Sequence, residues 1–380
     1  IRDINEERKK TGDYSGWYKE NARSWWCGKI LVSDDEGKSF TEKGSFPFIH
    51  ARPFLCGRRI YVMGHCGNLA ITYSDDNGEN WSNTSLLSEG QEWHQAPCSV
   101  VYKGDYVYLV MERYKTQSQA HWRVEALAPV LMRGNIYDDL TKRENWTFAS
   151  EIAYNEIMND DLTDYFGIPF YKCEPHKSTP IGGGRKMAPV GWLETNVVKI
   201  EDKSHIWYGE NTFHLFSRLH SGWVNYGTVL KVLEKPDGTM ETMLEKNPSG
   251  KNVLFINIPG GQMKFHILYD DLSKYYWLLG SQSTDSMVDV DKMDKSRFDM
   301  PNNERHRLVL HFSKNCVDWC FAGVVAIGED IKQSRHYASM CIADDDLYIV
   351  SRSGDENVKD AHDTDLITFH TVKNFRKLIY

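Results

Sequence analysis

The sequence predicts an all-β fold, a six-bladed propeller running as one domain over residues 1–380. Three observations carry that expectation. Short β-rich runs recur along the chain, while long amphipathic helical patterns are scarce. Turn-forming clusters such as "DDNG", "KGD", "PDG" and "PGG" separate many of the runs. One polar octapeptide also occurs twice, as "SDDEGKSF" at 33–40 and "SDDNGENW" at 74–81, spaced about one propeller blade apart.

Taken in order, the runs are "KILVS" (29–33), "RRIYVMG" (58–64), "LAITYS" (69–74), "CSVVY" (98–102) and "YVYLVME" (106–112). After a gap come "NVVKI" (196–200), "GTVLKVLE" (227–234), "NVLFINI" (252–258), "RLVLHFS" (307–313), "LYIVSRS" (347–353) and "LITFHTV" (366–372). Grouped in fours, as propeller blades are, such runs make about six blades. Both octapeptides fit S-x-D-x-G-x-x-[FW]. In that pattern the Ser and Asp side chains bond backbone amides inside the turn, and Gly supplies a positive φ. The terminal aromatic is expected to pack back onto the sheet. A decayed third copy, "SKNCVDW" at 313–319, has lost the Asp and Gly positions. Residues 155–188 have little strand character and read as a long inserted loop of the kind that overhangs a propeller's central pocket.

Composition narrows the function. The net charge is −8 and no long basic block appears, which argues against nucleic acid as a partner. No apolar run approaches the ~20 residues of a membrane span. The chain opens at Ile1 without a signal-type apolar segment, so an expected secreted or periplasmic location, with the leader absent from this chain, rests only on the class of activity inferred below. The eight cysteines, at 27, 56, 66, 98, 173, 316, 320 and 341, form no CxxC pair and no zinc spacing; most read as small buried hydrophobes, with Cys316 and Cys320 in a strand. The 12 Trp, 20 Tyr and 16 Phe suit strands, and their flat faces also suit sugar rings. "GGG" at 182–184 is followed by no Lys-Ser/Thr and is no phosphate loop. Asn80, Asn83 and Asn145 match the N-x-[ST] acceptor pattern.

The octapeptides resemble the Asp-box, or BNR, repeats best known from sialidases (neuraminidases), where the motif is structural and lies away from the chemistry. The resemblance extends to residues that carry chemistry in that family. "HYASMCIADDDLYIVSRSG" has the layout around the sialidase nucleophile and places Tyr337 there. A neutral phenol suits a sugar whose anomeric carbon bears a carboxylate, because an anionic nucleophile would be repelled. The phenol needs a base, and "ETNVV" resembles the family's helper Glu, which makes Glu194 that base; read alone, Glu194 is an exposed carboxylate at a strand start. For the carboxylate clamp, Arg305 in "RHRLVLHFS" resembles the third family Arg, with Arg307 its close competitor. Arg218 in "FSRLHSGW" resembles the second and Arg52 in "HARPFL" the first. Planar guanidinium forks pair bidentately with carboxylates, which Lys does not do.

The sequence departs from the family at the acid/base. The interval "LCGRRIYVMGHCGNLAIT" holds no carboxylate, and His65 is its proton carrier, with His94 and Glu112 as alternatives. Asp285, in "QSTDSM", reads either as a pocket-lining carboxylate or as a turn-forming residue; His362 and Asp363 in "SGDENVKDAHDTD" carry the same two readings. The resemblance implies a glycoside hydrolase that removes a terminal, acidic sugar from a glycan, without cofactor or metal. Two other classes stay open. One is a propeller polysaccharide lyase acting on uronic-acid glycans, which the 14 His and the missing acid/base Asp favour. The other is a sugar-binding propeller without turnover.

Overall fold

The computed structural model describes residues 28–94, 98–118, 122–157, 190–221, 224–286, 303–362 and 364–380, with a few short pieces between them. The regular structure is overwhelmingly β, in antiparallel meanders of blade type, and five such blades are found. The chain divides into two compact units: Ile1–Gln95 with Gly134–Trp146, and Ala96–Arg133 with Thr147–Tyr380.

The first unit holds a two-stranded sheet, Gly28–Val32 with Thr41–Phe46, and a four-stranded one running Ile49–Cys56, Arg59–Cys66, Asn68–Ser74 and Ser85–Leu86. Phe46, Phe48, Val62 and Ala70 form its core, with Ile30 and Trp81 packed against them. Both octapeptides are the turns leaving a strand, and they fold alike. Ser33 Oγ accepts from the Gly37 N–H at 2.7 Å and Ser74 Oγ from the Gly78 N–H at 2.8 Å. The Asp35 and Asp76 carboxylates accept from the Ser39 and Asn80 N–H groups, each at 2.8 Å. Hydrogen bonds with Ser39 and Asn80 hold the two carboxyls at a pKa of about 2. The aromatic positions differ. Trp81 packs on the core, whereas Phe40 is 46% exposed, so the expected packing is present in only one of the two copies.

The second unit builds three meanders and part of a fourth. Gly191–Val198, Thr212–His220, Tyr226–Glu234 and Met240–Met243 pair in that order; His266–Asp270, Tyr275–Ser281, Arg307–Ser313 and Cys320–Ile327 form the next; Arg335–Ala343, Asp346–Ser353 and Leu366–Val372 the last. Val100–Lys103, Tyr106–Tyr114 and Leu127–Asn135 share a further sheet. The apolar clusters lie between consecutive sheets. One joins Tyr108, Leu131, Trp192 and Leu215; a second Phe216, Val229, Ile267 and Leu278; a third Trp277, Leu310, Met340 and Ile349. A strand with a sheet on either side is buried on both faces, and every residue of Gly191–Val198 is.

The decayed repeat keeps its turn by substitution. Asn315 does the work of the lost Asp, accepting from the Val317 and Asp318 N–H groups at 2.9 and 2.8 Å, while Cys316 keeps the positive φ, +58°, that Glu36 and Asn77 hold in the intact copies. Cys316 thus lies in a turn, not in a strand as the sequence suggested. Cys56, Cys98 and Cys316 are buried, but Cys320 and Cys341 are exposed; Cys27 and Cys173 lie outside the described residues. Most of the 155–188 insertion also lies outside them; the short strands Thr163–Asp164, Thr179–Gly182 and Arg185–Met187 are its described parts, after the single helical turn Tyr154–Ile157.

Candidate active site

The opening strands of three sheets share one irregularity. In Ile49–Cys56, Gly191–Val198 and Arg335–Ala343 the pairing register shifts, between Ile49 and Arg52, Leu193 and Asn196, and His336 and Ser339. At each shift one non-glycine residue takes a left-handed backbone: His50 at φ +49°, Glu194 at +60° and Tyr337 at +50°. A bulge of this kind re-aims a side chain out of the strand's alternation. Left-handed backbone costs about 1–3 kcal/mol and is rarest for bulky residues such as Tyr; it clusters at functional positions.

In the second unit the two bulges meet at one guanidinium. Arg218, on Thr212–His220, pairs in register with Leu193 beside the first bulge. Its Nη1 donates to both Glu194 oxygens, at 3.3 and 3.2 Å, and to the Tyr337 hydroxyl at 3.3 Å. Its Nε donates to the Gln262 carbonyl at 2.8 Å, which fixes the fork. Glu194 and Arg218 are both buried, whereas Tyr337 is half-buried. Burial alone would push the Arg218 guanidinium down, but the Glu194 and Tyr337 oxygens together hold it above its ordinary value. Carboxylate and phenol are therefore bridged by one cation, with no direct hydrogen bond between them.

Two more arginines flank the phenol ring. Arg305 lies with Cζ 5.7 Å from the Tyr337 ring centre, and Arg352 with Cζ 5.0 Å from it. Burial lowers the Arg305 guanidinium to about 10. Its Nη1 donates to His336 Nδ1 at 2.8 Å and its Nε to Asn303 at 3.0 Å. Burial, and after it the Arg305 and Arg352 charges, hold His336 well below the usual imidazole range, so it is a neutral acceptor. Arg307, the competitor, is turned to Gln282 Oε1 at 3.0 Å.

The remaining sequence-predicted residues fall elsewhere. Glu112, on Tyr106–Tyr114, is fully buried and accepts from Thr195, next to Glu194. Asp285 sits in a turn closed by the Val288 N–H on its carbonyl at 3.0 Å. His362 is in a loop, its carbonyl accepting from Arg352 Nη2, and Asp363 lies outside the described residues. Arg52, His65 and His94 belong to the first unit. Arg52 is buried on Ile49–Cys56. His65 Nε2 lies 2.9 Å from His50 Nδ1, and the His94 ring centre is 5.0 Å from that of His50. Burial, then the His50 and His94 charges, push His65 well below its ordinary value. Sequence reading missed His50, His336 and Arg352. Arg352 stands opposite His336 in the strand register, a placement that pairing alone creates.

No protein-family model matches the chain, and no curated protein matches its sequence. Among solved structures it is similar to a Trypanosoma rangeli sialidase mutant displaying trans-sialidase activity, at 12% identity and a TM-score of 0.36, over 94% of this chain and 60% of that one. It is similar to a Cellvibrio cellulosa α-L-arabinanase at 12% identity and a TM-score of 0.40, over 86% and 91% of the two chains. An α-L-arabinofuranosidase from Fusarium graminearum shares 9% identity at a TM-score of 0.46, over 91% and 84%. The chain thus spans 60% of the length of that sialidase.

Proposed function

We propose that this chain is a glycoside hydrolase that removes a terminal acidic sugar. The observation that carries the reading is the Arg218 Nη1 shared by the Glu194 carboxylate and the Tyr337 hydroxyl. Tyr337 oxygen attacks the anomeric carbon, and its proton passes to Glu194 once substrate binding closes the two oxygens held by the same Nη1 to hydrogen-bond contact. The guanidinium stands where negative charge develops on the phenolic oxygen as the proton leaves, which is the transition-state electrostatics such chemistry needs. Arg305 and Arg352, over the phenol ring, receive the substrate carboxylate. Water then attacks the anomeric carbon and breaks its bond to the phenolic oxygen, giving a proton to the group that protonated the leaving oxygen, while Glu194 returns its own proton to the phenol. The sequence names His65 for the leaving-group proton, but burial holds that imidazole well below its ordinary value, in the form that has no proton to give. Six blades are kept as the finer fold reading, with the Gly28–Val32/Thr41–Phe46 hairpin belonging to the sixth, and a secreted or periplasmic location follows from the substrate class.

A second reading draws on the bridged geometry itself. A phenol held off its carboxylate by an arginine also suits β-elimination on a uronic acid, where Arg neutralises the carboxylate and Tyr carries the proton. Aryl glycosides of sialic acid, glucuronic acid and neutral sugars test the first reading, and near-ultraviolet absorbance from an unsaturated product on uronate polymers tests the second. Release of aryl alcohol from an acidic glycoside alone supports hydrolysis. Turnover of none of these substrates leaves a sugar-binding propeller.

A further inference from the structure

Glu112 has no role in the proposed chemistry, yet it is a fully enclosed carboxyl next to the site, at 0% exposure. It projects from Tyr106–Tyr114 toward the neighbouring sheet. One oxygen, Oε1, accepts both the Thr195 N–H at 3.0 Å and the Thr195 hydroxyl at 2.8 Å. Thr195 Oγ1 also meets Ser217 Oγ at 2.8 Å. Thr195 is the residue directly after left-handed Glu194, inside the register shift. Cys98 Sγ donates to the Glu194 carbonyl at 3.1 Å, so both polar atoms of the peptide joining Glu194 to Thr195 are held.

A buried carboxyl in such a place is a liability unless it secures something, because desolvating it is costly. What it secures is a backbone amide that the bulge has taken out of the ladder, and an unpaired buried N–H would cost about 1–3 kcal/mol. We propose that Glu112 is a positioning residue, which clamps the Thr195 amide and hydroxyl and so holds the strained bulge that delivers Glu194 to Arg218 and Tyr337. Among the ionisable groups near it, Glu194 acts on it by its charge, and Arg218 stands beyond Glu194. Burial first, then the Glu194 charge, raise the Glu112 carboxyl well above its usual range, which favours the neutral form that an amide mimics.

The kinetic part of the test rests on the proposed hydrolysis, and the structural part does not. Crystal structures of Glu112→Gln and Glu112→Leu read the φ of residue 194 and its contact with Arg218 directly. The expected result is that Gln keeps both and Leu loses both. In turnover, Gln is expected within about threefold of the native chain with an unchanged pH profile, whereas Leu lowers kcat roughly 100-fold with KM little changed. Thr195→Val removes the hydroxyl's bonds to Glu112 and Ser217, keeps the amide's, and is expected to lie between them; it also serves if the Leu variant does not fold. A Leu or Val variant that keeps Glu194 left-handed, with native kcat, overturns the assignment. So does a Gln variant as impaired as Leu, because the role would then belong to the acid and not to the acceptor. A native chain inactive on every glycoside would sink the hydrolase reading while leaving the crystallographic result to decide the clamp.

Discussion

The bulges at Glu194 and Tyr337 share a backbone conformation and differ in almost everything around it. Around Glu194 the whole strand Gly191–Val198 is buried, and the residue after it is held by an acceptor, Glu112. Around Tyr337 the strand alternates buried and half-buried positions, and the residue after it is held by a donor: Lys264 Nζ gives a hydrogen bond to the Ala338 carbonyl at 2.6 Å. The proposed base is enclosed by protein, whereas the residue of the proposed nucleophile is only half-buried. One bulge therefore has its strain balanced by packing on both faces, while the other carries its strained residue on a half-buried strand. Changes at the first are expected to cost stability as well as rate, and changes at the second to cost rate alone.

The largest contrast lies in Tyr337→Phe, which keeps the ring and removes the hydroxyl. Turnover is expected to fall at least ~10³-fold with the melting temperature unchanged; a fall in both would erase the distinction between the bulges. Glu194→Gln is expected to lower kcat by roughly 10²–10⁴-fold. Arg218→Met strands the buried Glu194 charge, and breaking a buried pair this way costs about 3–5 kcal/mol, read from the midpoint of urea unfolding. At the open side, Arg352→Lys keeps the charge but loses the planar fork, so KM is expected to rise roughly tenfold with kcat and stability held. The smallest effect is a pH dependence at the enclosed side. The Glu112 carboxyl titrates higher in the folded chain than in the unfolded one, so its stabilising share is whole at low pH and is lost as pH rises above the ordinary carboxylate range. Glu112→Gln removes that loss. Its unfolding free energy relative to the native chain should climb over that window, and a flat difference would mean Glu112 is ionised.

Much of this fold was legible because strands announce themselves by β-branched and aromatic runs and turns by Asp, Asn and Gly. "RRIYVMG", "LAITYS" and "RLVLHFS" all fall on strands. The matched octapeptides fold as matched turns, but Phe40 shows that a motif specifies its own hydrogen bonds and not the surface it meets. Within the site, Tyr337, Glu194, Arg218 and Arg305 were named from local phrases, each lying in a stretch that reads as its own landmark. The left-handed backbone at Glu194 and Tyr337 was invisible, because a register shift depends on the partner strand. Arg352 was invisible for the same reason, being set opposite His336 by pairing. Glu112 read as a ligand-facing carboxylate, since nothing in "YLVMERY" shows that a neighbouring sheet would close over it and offer it the Thr195 amide.

Covalent trapping tests the central chemistry most directly. The native chain is incubated with a fluorinated acidic glycosyl fluoride, which forms the glycosyl intermediate faster than water removes it, and the digested protein is then weighed peptide by peptide. A sugar adduct on Tyr337, absent from Tyr337→Phe, is the predicted result. An adduct on Glu194, or undiminished turnover without any adduct on Tyr337, would contradict it.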